Sequence, residues 1–121
     1  MIDPTKSFIG LILCLILLLG CTSQLEKELF GEWQLVQWLN ESTGNQREGE
    51  VRFKFSEDKR YMAELNGIQE KGEYWVEFQN LHTVEDGKVE KKVKILKLEN
   101  DTLVLEMNRM GTLEKMVLVK I

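Results

Sequence analysis

Few residues in this chain of 121 have the types and spacing that chemistry needs. Cys21 is the sharpest of them: it closes an apolar run, Phe8 to Leu19 followed by Gly20, and a thiol is strongly nucleophilic once deprotonated. His82 is the only histidine, on a short predicted strand with no free cysteine to join it, so neither a zinc nor a copper site is expected. Ser42 and Ser56 fall in turn-like sequences rather than in a nucleophile elbow. Glu57 and Asp58 have nothing beside them to raise a carboxyl pKa toward neutrality, which general acid–base work requires. Gly67 to Gly72 spaces two glycines as a phosphate loop does, but Glu73 follows where a lysine would be needed. These residues predict a chain that is not an enzyme and holds no cofactor and no metal.

The elements that must position such residues come in two parts. Residues 1–20 have a short head with Lys6 and then the apolar run, which is too short to cross some 30 Å of hydrocarbon before Thr22, Ser23 and Gln24 end it. This is signal-peptide anatomy, and it leaves a mature chain of about a hundred residues, enough for one domain with a modest core. Residues 21–28 read as a polar tether carrying at most a helical turn, with Leu25 and Leu29 on one side. With Cys14 discarded and Cys21 at the new terminus, no disulfide framework supports the fold. The formal charge of −4 disfavours nucleic acid. Lys88, Lys91, Lys92, Lys94 and Lys97 are interleaved with Glu85, Asp86, Glu90 and Glu99, the pattern of a solvated strand face.

From Gly31 onward the hydropathy alternates with period two. Val51, Phe53 and Phe55 alternate with Arg52 and Lys54, and Tyr74, Val76 and Phe78 alternate with Glu73, Trp75 and Glu77. Seven turn-rich breaks separate strands predicted near 31–39, 50–56, 60–65, 72–78, 81–85, 89–98, 102–107 and 112–121. Leu96 and Leu98 break phase with Ile95, which predicts a bulge. The last strand is ambiguous, because Val117, Val119 and Ile121 compete with Met116 and Leu118 for the inside. The predicted fold is all-β: a small eight-stranded, up-and-down antiparallel barrel over residues 29–121, which leaves no open edge. A two-sheet sandwich is the competing arrangement.

Two resemblances sharpen this reading. Leu18-Leu19-Gly20-Cys21 resembles the lipobox of bacterial lipoproteins. That implies cleavage before Cys21, acylation of its thiol by palmitate-type chains, and attachment to a bilayer. Thr22, not aspartate, follows the cysteine, so the sorting rule of that family implies the outer membrane where a cell has one, with the periplasmic or surface face left open. Gly31-Glu32-Trp33 resembles the G-x-W signature of lipocalins. With Phe53-Lys54-Phe55, Lys71-Gly72-Glu73-Tyr74 and Ile95-Leu96-Lys97-Leu98 leading to Asp101-Thr102-Leu103-Val104-Leu105, the chain is similar to small lipocalin-like lipoproteins of Bacteroidetes-type envelopes. The resemblance implies a barrel closed at one end by Trp33 and a capacity for ligand binding.

The candidate lining of a cavity is Trp33, Leu35, Phe53, Phe55, Tyr61, Tyr74, Val76 and Phe78, for a small apolar or amphipathic ligand entering opposite Trp33. An eight-stranded barrel can equally be filled by these side chains. Trp38 and Trp75 fall on the opposite phase and are expected to face outward, either beneath the tether helix or as a surface for another envelope protein. The expectation is an envelope lipoprotein that binds a small ligand, with an interaction module of solid core as the alternative.

Overall fold

The computed structural model describes residues 24–121; the expected signal peptide, Cys21 and the first residues of the tether lie outside them. Alternating side chains and short polar turns produce eight strands: β1 (Gly31–Asn40), β2 (Val51–Phe55), β3 (Arg60–Leu65), β4 (Ile68–Glu77), β5 (Asn80–Glu85), β6 (Glu90–Glu99), β7 (Thr102–Arg109) and β8 (Thr112–Lys120). Each pairs antiparallel with the next, and β1 pairs with β8, so the sheet closes into an up-and-down barrel. The sandwich is thereby excluded.

One strand, β4, departs from the sequence expectation at both ends. Residues 68–71, whose sequence is irregular, belong to β4, because Asn66 and Gly67 take the left-handed conformation of a two-residue hairpin turn and let Ile68 pair with Leu65 at once. At its other end β4 stops at Glu77. Phe78, expected to face inward, instead occupies the β4–β5 turn with φ of 57° and is 73% exposed.

Bulges decide which side chains turn inward. The bulge expected on β6 lies between Ile95 and Lys97, and it carries the inward positions from Ile95 to Leu98. A second, on β1, lies between Leu35 and Gln37. It leaves Val36 and Gln37 outside and moves Trp38 inward, so Trp38 joins the core at 8% exposure, contrary to its phase in the sequence. On β8 the inward set is Glu114, Met116 and Leu118.

Residues 24–29 form a short helix that closes one barrel end. Leu29 is fully buried, Leu25 packs on the core, and the Trp33 indole N–H donates to the Leu29 carbonyl at 2.8 Å. Glu26 fastens the helix further. Its carboxylate accepts from the Val76 backbone N–H at 3.0 Å, beyond the point where β3 stops pairing with β4, and it also meets Lys59. The helix thus seals the barrel end at Trp33 instead of covering an outward tryptophan.

Strand packing leaves no room at Gly72. A Cβ built there would stand 1.9 Å from the Val84 carbonyl oxygen, which is backbone and cannot swing aside. Gly72→Ala is expected to lower stability by about 3 kcal/mol through forced separation of β4 and β5, read as a fall in the midpoint of chemical unfolding. Gly67→Ala, at a hairpin position with open space but φ of 85°, should cost only about 1 kcal/mol.

Candidate functional site

The alternation of strands gives the barrel two unlike ends. At the helix end converge the turns β2–β3, β4–β5 and β6–β7, with Leu29 and Trp33 buried beneath them. At the other end lie the long β1–β2 loop and the tight turns β3–β4, β5–β6 and β7–β8, and no helix among the described residues covers it.

Most of the expected lining is packed rather than exposed to a cavity. Trp33, Phe55, Tyr61, Tyr74 and Val76 are buried, and Leu35 and Phe53 pack on them partly buried. Phe55 stacks on Phe53 with ring centroids 5.6 Å apart and meets the edge of Tyr74 at 4.9 Å. Trp33 borders a surface depression, a space of ≈ 260 Å³ at the helix end shared with Glu28, Asp101 and Lys120. Trp75 remains outside, as its phase predicts, with its ring stacked on His82 at 5.1 Å; His82 in turn contacts Glu90 at 2.5 Å.

The interior becomes polar toward the open end. On one wall the Tyr61 hydroxyl donates to the Glu70 carboxylate at 2.7 Å, and Lys91 approaches the same carboxylate at 3.8 Å. Burial and the neighbouring Glu70 both push the Tyr61 pKa well above its ordinary value. Deeper, Tyr74 donates to the Ser56 carbonyl at 2.9 Å, and burial, with Asp58 and Glu57 nearby, pushes its pKa up to about 12.

The opposite wall holds a second polar cluster. Glu114 is the only buried charged side chain among the described residues, and Arg47 at 3.5 Å and Arg109 at 3.3 Å neutralise it. Both guanidiniums lie over the Trp38 ring, 4.5 Å and 5.7 Å from its centroid. The β1–β2 loop brings Arg47 there by folding back on β1: the Asn40 side chain accepts from Ser42 and Thr43, and the Arg47 N–H donates to the Trp38 carbonyl at 2.7 Å. A depression of ≈ 400 Å³ opens above this cluster, bordered by Asn45, Gln46, Arg47, Arg109, Met110 and Glu114.

Sequence reasoning missed Arg47, Arg109 and Glu114. The available signal was the shared parity of Glu114 with Met116 and Leu118, which puts an acid on the inward face of β8. Nothing in the sequence marks the two arginines, which meet it from a loop and from the end of another strand.

The comparisons with known proteins agree with this architecture. A family model described as a lipocalin-like domain matches residues 29–105, more than half of the chain. An uncharacterized protein from Bacteroides eggerthii, known from a crystal structure, is similar in fold. Its TM-score is 0.63 at 14% identity, and the match covers 77% of this chain and 99% of that one. No curated protein matches the chain.

The two tyrosines give a direct test of the packed interior. An unfolded tyrosine titrates near pH 10. Because the folded values lie higher, the stability these hydroxyls contribute is complete below that pH and is lost as pH rises through the folded values. Native protein at about pH 10.5 should therefore show almost no tyrosinate absorbance, whereas the same chain in guanidinium should show both residues more than half ionised. Equal absorbance in the two states would mean an open, hydrated interior.

Proposed function

Because this chain belongs to the family of lipocalin-like domains, we propose that it is a non-enzymatic, membrane-anchored envelope lipoprotein whose barrel binds a small amphipathic ligand at its open rim. The observation that carries the reading is the contrast between the two ends. The helix end is sealed by Leu29 and Trp33, and the open end carries the ≈ 400 Å³ depression above Trp38, Arg47, Arg109 and Glu114.

The anchor and the rim fall at opposite ends for a simple reason of chain length. Cys21 precedes the start of the described helix by three residues, a reach of at most about 11 Å. Acyl chains on Cys21, each buried methylene contributing roughly 0.8 kcal/mol, would hold the Trp33 end near a bilayer and turn the rim toward solution. An outer-membrane location follows from Thr22 after the cysteine and is part of the same proposal.

The filled interior below the rim supports a second reading, an interaction module that binds another envelope protein with a solid core. Its specific observation is the outward Trp75–His82 stack.

Two measurements test these readings. Labelled palmitate should enter the protein, and Cys21→Ser should abolish the label; label that survives the substitution removes the lipoprotein assignment. Native mass spectrometry of the protein released from membranes should show a co-purified mass of small-molecule size. Clean apo protein that brings down a partner through Trp75, with that capture lost in Trp75→Ala, would favour the interaction module instead.

A further inference from the structure

We propose that the open rim is an anion-recognition site in which Arg47, Arg109 and the Trp38 indole N–H receive a compact oxyanion, a carboxylate or a phosphate monoester. The inference rests on the rim being a ligand site and names the chemistry that site takes.

Its basis is an imbalance of donors and charge. Two guanidiniums carry ten N–H donors between them. Their side-chain partner is a single carboxylate, Glu114, held at 3.3–3.5 Å, longer than the 2.7–2.9 Å usual for charge-assisted pairs. The cluster keeps one positive charge in excess. The acids of the facing wall do not remove it, because Glu70 has Lys91 and Glu85 has Lys88. Both arginines remain nearly half exposed, with side-chain accessibilities of 47% and 44%, on the border of the depression.

The second observation is independent of the arginines. Trp38 Nε1 is the one buried side-chain nitrogen or oxygen among the described residues without a hydrogen-bond partner, in a residue more than nine-tenths buried. Such an orphan donor costs free energy until an acceptor meets it. The far edge of the same ring faces Gly49, with Cζ3 3.4 Å from a Cβ built there, and both guanidiniums lie over its face. An oxyanion seated among the guanidiniums supplies acceptors and negative charge together.

The occupant is compact because the space below is taken. Met116, Leu105, Ala63 and Val51 are buried and belong to the continuous core. A long apolar tail cannot descend between them. Any tail on the anion lies outward, toward the fully exposed Met110 on the rim.

The test follows the tryptophan indole N–H resonances of the full-length protein in neutral detergent micelles, with Trp38→Phe identifying the Trp38 signal. Inorganic phosphate, butyl phosphate, butyrate and butan-1-ol are titrated separately. The anions should shift the Trp38 indole saturably and the alcohol should not. The double substitution Arg47→Gln with Arg109→Gln should weaken anion binding about tenfold or more. Glu114→Gln removes the internal competitor and should tighten it about threefold or more, a gain that misfolding cannot produce.

A response to inorganic phosphate equal to that of butyl phosphate supports a free soluble anion. A response to butyl phosphate or butyrate alone supports the head of an amphiphile. Butanol binding as well as the anions overturns the anion proposal and leaves small-ligand binding at the rim standing. No response to any probe overturns both. Unchanged or weaker anion binding in Glu114→Gln overturns the donor-excess argument.

Discussion

The pairing of β1 with β8 is the constraint on which the rest of the structure depends. It removes both sheet edges at once, so every strand has two partners and no row of backbone donors is left open. It also fixes the circumference at eight strands, an interior that side chains can just fill. Trp33, Phe55 and Tyr74 fill the lower half, and the tyrosine hydroxyls are tied to a carboxylate and a carbonyl so that their burial carries no orphan donor.

Closure alone would give a symmetric tube. The two ends differ because the short helix has an acceptor for the Trp33 indole and a leucine for the space beneath it, which seals one mouth. The other mouth has only loops, and its inward positions are occupied by Glu70, Glu85 and Glu114 in place of aliphatic residues. A buried carboxylate needs compensating charge. Arg47 and Arg109 supply it for Glu114 and rest on the face of Trp38. The apolar plug and the polar rim are thus two answers to the same question of how a small barrel ends.

The bulge on β1 links closure to the rim. Without the extra residue at Val36, alternation from Trp33 would carry Trp38 to the outer surface, and the arginines would have no aromatic face to lie on. The tryptophan would then be an exposed apolar group on a curved sheet. With the bulge it becomes the aromatic face beneath Arg47 and Arg109, at the cost of an unpaired indole N–H.

The fold was legible because period-two alternation and Gly, Asn and Asp turns are local properties that survive in any one segment. They mark all eight strands and the bulge at Ile95 to Lys97, whereas the closure of one end by Trp33 was implied by the lipocalin resemblance. Phe78 and the start of β4 were misread for a local reason as well: turn residues taking positive φ decided where pairing stopped and began, and Phe78 is not a residue that advertises such a turn.

What the sequence by itself determined is the strand pattern and the apolar face that turns inward; closure into a barrel and not a sandwich came with the pairing of β1 and β8. Only the tertiary structure decided the rim. Arg109 and Glu114 lie close together across the β7–β8 hairpin, but Arg47 comes from the β1–β2 loop some sixty residues earlier, and the three meet because that loop and the hairpin converge on Trp38 after the barrel has closed. Alternation says which side of a strand a residue faces; it carries no information about which charges share one mouth.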